Sequence, residues 1–348
     1  MARRTWTSIW TRSVKRSLAT LRRSALRTPA PSPRRKPRPV AVKSVTRKPL
    51  APTPGARGTP ADGHWAPGLA VGPSGARRYR LFRPDGIASA ERVPLLVMLH
   101  GCGQDAARFA ASTRMNRIAL RERFMVLYPE QERLANAQGC WNWFDTASGR
   151  AQGEVALIMA AIDQVCVLYP VDRARVAVAG LSAGASMAAL LATRHPGRFR
   201  AVVMHSGVPP GAAHSSLSAL GAMRGRRAAG SLPSGELDAS APALPPLLVI
   251  HGHRDAVVAP RNGRAAAQQW ADAAGASAGV AREVRRGQRH PMTVTDYRAR
   301  GRIVATLVDV SQLGHAWSGG AASEAFGDAR GPDASRMVWA FAEKQFRA

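Results

Sequence analysis

The chain has 348 residues, 45% of them apolar, with 32 glycines, 25 prolines and a net charge of +28. That length is ample for a large hydrophobic core, and three cysteines with no C-x-x-C pair exclude a disulfide-dense scaffold and a cysteine-rich zinc site. No uninterrupted run of about eighteen apolar residues exists, so no transmembrane helix is expected. The basic N-terminus lacks the roughly 7–15-residue apolar core of a signal peptide.

The charge is unevenly spread. Residues 1–60 hold 16 of the 50 Lys and Arg and none of the 22 Asp and Glu, which leaves +12 for the rest of the chain. The arginine excess of the body is compositional and does not read as a specific nucleic-acid surface. From Trp6 to Leu26 the spacing predicts a basic amphipathic helix: Trp6, Ile9, Trp10, Val14, Leu18 and Leu21 share one half of the wheel, and Arg12, Lys15, Arg16, Arg22, Arg23 and Arg27 the other. Such a helix suits an apolar–aqueous boundary, and the alternatives are a transit-like segment or a plain charged tail. Residues 28–62, with Pro29, Pro31, Pro33, Pro37 and Pro39 among many arginines, read as an extended linker.

The folded domain is expected to begin near 63–78, with Tyr79–Phe82 as an edge strand. Apolar runs predict buried parallel strands at Leu95–Leu99, Phe124–Tyr128, Val176–Ala179, Ala201–Met204, Leu247–Ile250 and Ile303–Val308. Helical stretches lie between or after them at Glu154–Leu168, Ala183–Arg194, Gly263–Ala273 and Ala334–Phe346. This rhythm predicts an α/β domain over 63–348, a mostly parallel sheet with helices on both faces and its site at the carboxyl ends of the strands. Residues 209–246 show no clear strand and are a candidate cap or a surface excursion.

One stretch points to chemistry. Val176–Gly180 ends in Gly180–Leu181–Ser182–Ala183–Gly184, and a small-residue helix follows at once. In G-x-S-x-G the serine sits on a cramped strand-to-helix turn that lifts its hydroxyl off the sheet, and helix amides favour negative charge beside it. A serine nucleophile needs a base, and His315, between glycines after the last strand, is the candidate. The orienting acid is expected between them in the chain. Asp255 follows the 247–250 strand, with Asp296 and Asp309 as rivals. His251 and His253 beside Asp255 invite a metal reading, but no fourth ligand is evident, so neither a metal nor a cofactor is expected. The glycines of His100–Gly101–Cys102–Gly103–Gln104 leave amides open, so the Cys102 amide, with that of Ala183, is the expected oxyanion hole.

Taken together, the segments 99–104, 140–144, 180–184 and 314–320 resemble the poly(3-hydroxybutyrate) depolymerase family of esterases, and 251–260 resembles that family's acid-bearing loop. The resemblance covers roughly residues 75–345. It implies an α/β-hydrolase fold, a Ser182–Asp255–His315 triad and no cofactor. It also implies substrates from short-chain hydroxyalkanoate polyesters to feruloyl or acetyl esters on polysaccharide. Gln104, Trp141, Trp143 and Trp317 become candidate substrate contacts, the tryptophans as apolar walls for an acyl chain, with core packing as their alternative.

The arginine-rich start and the end of the chain one helix after His315 resemble intracellular, granule-directed relatives. A cytoplasmic location, with residues 1–27 on a polymer granule, is therefore the expectation, and an extracellular one the alternative. Cys102 and Cys140 are close enough in role to be bridged, but in a reducing cytoplasm they would stay thiols. Cys166 reads as a small buried residue. The expected function is hydrolysis of poly- or oligo(3-hydroxyalkanoate) through an acyl-enzyme. The alternatives are a feruloyl or acetylxylan-type esterase and, in another class, a non-catalytic granule- or nucleic-acid-binding protein.

Overall fold

The computed structural model describes residues 63–232 and 243–348. The amphipathic stretch and linker expected within residues 1–62, and part of the candidate cap, lie outside the described residues. The domain opens on a hairpin of β1 (Gly63–Gly72) and β2 (Gly75–Pro84), paired antiparallel along their full length. The predicted apolar runs then form β3 (Val93–Leu99), β4 (Met125–Pro129), β5 (Val171–Leu181), β6 (Ala201–His205) and β7 (Leu247–Gly252). The last third adds β8 (Ser277–Ala278), β9 (Arg282–Val284), β10 (Met292–Ala299) and β11 (Arg302–Val310), then a separate small pair, β12 (Trp317–Ser318) and β13 (Gly327–Asp328).

The main sheet runs β1-β2-β4-β3-β5-β6-β7-β11-β10-β8, with β9 also paired to β10. The six strands from β4 to β11 are mutually parallel, and both edges are antiparallel. Tyr79–Phe82 is therefore not an edge. It lies in β2, covered by β1, whose glycines and Pro67 give no strand signal but are tolerated where a strand has one free side.

Helices α1 (Ala106–Thr113), α2 (Met115–Glu122), α3 (Arg150–Leu168), α4 (Ala183–Arg194), α5 (Ser216–Met223), α6 (Arg261–Ala273) and α7 (Ala334–Phe346) complete the domain. Alternate strand residues face opposite sides, so each buried strand feeds two cores. Val176 and Val178 of β5 join a core with Val155, Ile158 and Ile162 of α3, Met187 and Leu191 of α4 and Trp270 of α6. Ala177, Ala179 and Leu181 join the other, with Phe109 of α1, Met115 and Ile118 of α2 and Val338 and Trp339 of α7. Trp339 stacks on Phe124, centroids 3.8 Å apart. Two-sided burial explains why the central strands read as unbroken apolar runs. Helix α3 is long and apolar enough to cross a membrane by composition, but half of it is buried inside the domain, as befits a core helix.

Candidate active site

Ser182 stands between β5 and α4 with φ 57° and ψ −120°, a backbone state that costs a non-glycine residue about 1–3 kcal/mol. Its amide donates to the His205 carbonyl (2.9 Å), and its own carbonyl starts the helix by accepting from Ser186 (3.1 Å). The flanking glycines are steric necessities. A Cβ on Gly184 would lie 2.1 Å from the Leu99 carbonyl oxygen, and one on Gly180 would lie 2.3 Å from the Gly184 backbone. Ser182 occupies the helix N-cap position, yet its hydroxyl makes no capping hydrogen bond. It is thus left free at the carboxyl end of the sheet, 9% exposed.

Asp255 lies in the loop after β7, and His315 in the loop after β11. These strands are neighbours, and the two loops are tied by Arg254 N–H to the Leu313 carbonyl (3.0 Å). His315 Nδ1 donates to Asp255 Oδ2 at 2.8 Å. Asp255 Oδ1 accepts the amides of Val257 (2.9 Å) and Val258 (2.8 Å), which holds the carboxylate in one orientation. Burial opposes ionisation of Asp255. The hydrogen bond and charge of His315, then His251 and the Val258 amide, outweigh it and hold the carboxyl below its ordinary value. With Nδ1 committed to Asp255, the His315 Nε2 is the nitrogen left for a substrate proton. No hydrogen bond joins it to the Ser182 hydroxyl, and catalytic contacts of this kind are often long until substrate binds.

The rival acids are engaged elsewhere. Asp309 accepts from Arg264 (2.9 Å), and Asp296 from Arg282 (2.8 Å) and Thr306 (2.8 Å). The His251–His253–Asp255 cluster does not close. Buried His251 lies 3.5 Å from Asp255 Oδ2 but donates Nε2–H to the Val258 carbonyl (3.0 Å), whereas His253 is exposed and turns to Asp309 (3.6 Å).

The loop after β3 carries the proposed oxyanion donors. Neither the Cys102 nor the Ala183 amide donates to another described group. Gln104 curls back so that its Oε1 accepts the Gly101 amide (3.0 Å), which braces this loop and leaves its side-chain nitrogen free. Cys102 is bridged to Cys140, so the expectation of two thiols gives way to a disulfide between the oxyanion loop and the aromatic loop. Gly103 N–H to the Gln138 carbonyl (3.0 Å) reinforces the same junction.

Two of the tryptophan expectations are corrected by burial. Trp141 is fully enclosed and donates Nε1–H to the His100 carbonyl (3.0 Å). Trp317 is also fully enclosed, with Nε1–H on Ser335 Oγ (3.0 Å) and its ring edge-on to Phe109. Both shape the site from behind and cannot line it. Trp143, edge-on to the part-buried Phe144, is 9% exposed and is the one of the three tryptophans that keeps some solvent access.

Several supports escaped the sequence reading. Glu154, 3% exposed on α3, accepts the Asn142 amide (2.8 Å), Asn142 Nδ2 (2.7 Å) and Gln131 Nε2 (2.5 Å). Gln131 Oε1 in turn accepts from Arg77, which also reaches the Glu130 carbonyl (3.0 Å). This buried network clamps the 140–144 loop. His100 donates Nδ1–H to the Gly101 carbonyl (2.9 Å) and accepts the Gln131 amide at Nε2 (3.1 Å), with burial lowering its pKa to about 4. A buried acid in an apolar helix was the available signal for Glu154, since such groups are rarely buried unless paired. The start of the 209–246 insertion carries α5 and joins the mouth of the site. Thr146 Oγ1 meets His214 Nδ1 at 3.2 Å, and the Ala259 amide of the acid loop donates to the Met223 carbonyl (2.7 Å).

The chain is similar to several known esterases. Poly(3-hydroxyalkanoate) depolymerase C of Paucimonas lemoignei is 34% identical over 183 residues, which span 51% of this chain and 44% of that protein. The chain therefore spans less than half of that relative's length. Feruloyl esterase B of Neurospora crassa is 29% identical over 215 residues, 58% of this chain and 72% of that one. Among solved structures, the acetyl xylan esterase from Aspergillus awamori superposes with a TM-score of 0.55 at 18% identity, covering 72% of this chain and 94% of its own. An S-formylglutathione hydrolase from Staphylococcus aureus gives 0.50 at 14% identity, covering 82% and 98%. Together with the parallel sheet and its elbow, these likenesses show an α/β-hydrolase fold. Residues 77–289, more than half of the chain, match the esterase PHB depolymerase family, and the protein belongs to it.

Proposed function

We propose that the protein is a serine esterase that hydrolyses poly- or oligo(3-hydroxyalkanoate) esters through an acyl-enzyme. The observation that carries this reading is the Asp255–His315 hydrogen bond, made between loops at the same end of the sheet as a strained Ser182 whose hydroxyl is uncommitted. Ser182 Oγ attacks the ester carbonyl as His315 Nε2 takes its proton. Asp255 holds Nδ1–H and stabilises the imidazolium. The Cys102 and Ala183 amides receive the oxyanion, and loss of one such donor typically costs about 10²–10³ in kcat. His315 then protonates the leaving alcohol. Water, deprotonated by His315, releases the acyl group from Ser182.

The depolymerase similarity supports the polyester substrate, with the part-buried Phe144 beside Trp143 as the accessible edge of the aromatic loop. The feruloyl and acetyl xylan esterase relatives support the second reading, an aryl or acetyl ester on polysaccharide. Turnover of amorphous hydroxybutyrate polymer is compared with that of a feruloyl ester, and faster feruloyl turnover reverses the order of the two. If Ser182→Ala leaves hydrolysis of a short p-nitrophenyl ester intact, the triad assignment fails.

For residues 1–27 the proposed partner is a polymer granule surface, tested by deleting residues 1–60; unchanged granule association refutes it. The Cys102–Cys140 bridge supports an oxidising compartment, the extracellular alternative. Thiol alkylation of protein taken directly from its cells reads the bridge and decides between the locations.

A further inference from the structure

His205, at the end of β6, meets both sides of the site. Its carbonyl accepts the Ser182 amide at 2.9 Å, and its ring Nε2 accepts the Ser318 amide at 3.0 Å, three residues beyond His315. The Trp317 indole lies on the same imidazole, centroids 4.9 Å apart and planes 24° from parallel. The Ser318 hydroxyl fastens the far side of this loop to the Pro332 carbonyl (2.6 Å). Because Nε2 accepts, the neutral ring carries its proton on Nδ1 and donates it to Ser206 Oγ (3.2 Å). Ser206 is itself held by its amide on the Ile250 carbonyl of β7 (2.9 Å).

We infer that His205 is a positioning residue whose imidazole, as the Nδ1–H tautomer, sets the distance between the Ser182 nucleophile and the His315 base. The inference rests on the roles given to Ser182 and His315 above. The two functional loops come from strands that do not touch, β5 and β11, and the residue between them in the sheet is the one that bonds to both. A flexible side chain there would let the His315 loop drift relative to the elbow, and a misplacement near 1 Å costs about a hundredfold in rate.

The ring is also suited to remain an acceptor during turnover. It is fully buried, and burial, then the charges of His251 and His315, lower its pKa to about 3. When His315 becomes imidazolium, a proton on His205 is therefore disfavoured further, and the Ser318 amide keeps its partner.

Two amide variants separate positioning from bulk stability, because they differ in where the side chain ends. Gln reaches the Nε2 position and can accept from Ser318, whereas Asn ends near the Nδ1 position and cannot. His205→Gln is expected to keep kcat for a short p-nitrophenyl ester within a few-fold. His205→Asn is expected to lower kcat by roughly ten- to a hundredfold with KM within about twofold. Equal kcat in the two variants, or a loss confined to KM, overturns the inference. A readout that needs no variant to fold is the ¹⁵N spectrum of the wild-type full chain. A protonated Nδ1 and an unprotonated Nε2 on His205 are expected, and the opposite tautomer overturns the inference. Ser182→Ala in the same assay is the control for the site itself. Retained turnover there removes the nucleophile assignment, whereas loss there with no Gln–Asn difference removes only the role of His205.

Discussion

Asp255→Asn exchanges one oxygen for an NH2 group, and the surrounding hydrogen bonds decide which one. Oδ1 accepts two backbone amides, from Val257 and Val258, at 2.9 and 2.8 Å. An NH2 there would face two donors and leave them unpaired in a buried site, at about 1–3 kcal/mol each. The amide oxygen therefore stays on the Oδ1 side, and the NH2 takes the Oδ2 position 2.8 Å from His315 Nδ1. His315 must then accept at Nδ1 and carry its proton on Nε2, the nitrogen that should take the serine proton. The base is present but in the wrong tautomer. In a serine protease the equivalent change lowers kcat about 10⁴-fold, close to 5.5 kcal/mol of barrier. The expected result is a fall of that order in kcat on a short p-nitrophenyl ester at neutral pH, with the thermal midpoint shifted only a few degrees. A folded variant that loses less than tenfold would show that Asp255 does not govern the tautomer, and the reasoning would fail.

Stability should fall on acidification. His100 and His205 are held below the ordinary histidine value of 6.5, at about 4 and about 3, so the unfolded chain binds protons that the folded one refuses. Their contribution is complete above about pH 6.5 and declines toward the folded values, by up to about 1.4 kcal/mol per pH unit for each ring. Asp255, held below 3.8, adds a loss only as pH falls through its folded value. Urea midpoints measured from pH 7 to pH 4 read the slope, and a flat profile contradicts it. Opening the Cys102–Cys140 bridge with the C102A/C140A pair frees a loop of 38 residues, worth about 4 kcal/mol by loop-closure entropy. An unchanged thermal midpoint, or one insensitive to reductant in the wild type, refutes this. Glu154→Gln places an NH2 against donors from Asn142 or Gln131, and should cost about 1–3 kcal/mol in denaturant unfolding and raise KM through the loosened aromatic loop. A neutral effect on both would mean that the network does not hold that loop.

Much of the catalytic frame was legible in the order of residues. Strands β3 to β7 each hold a stretch buried on both faces and written as an apolar run, and Ala183–Arg194 and Ala334–Phe346 were recovered with their observed limits. The elbow, the following acid and the last histidine are local signals. A serine between glycines, an aspartate just beyond a strand and a histidine among glycines each depend on a few neighbouring residues. The antiparallel edges were less visible. Strand β1 contains Gly63, Pro67, Gly68 and Gly72 and owes its conformation to ten paired residues in β2 rather than to propensity. Helices α1, α2 and α5 have eight residues each, too short for a periodic pattern to stand out.

The sequence by itself determined the parallel core, the position of Ser182 on its turn and the chain order of Ser182, Asp255 and His315. Tertiary structure alone decided which side chains face the site and which stand behind it. Trp141 and Trp317 looked like substrate walls because they flank functional residues, but each indole nitrogen turned inward to a partner distant in sequence. The bond from Ser318 to His205 spans 113 residues, and that from Trp141 to His100 spans 41. Such contacts arise from the strand order β5-β6-β7-β11, which brings remote loops to one end of the sheet. A local pattern can announce that a loop will be at that end, but the partners it finds there depend on the packing of the whole domain.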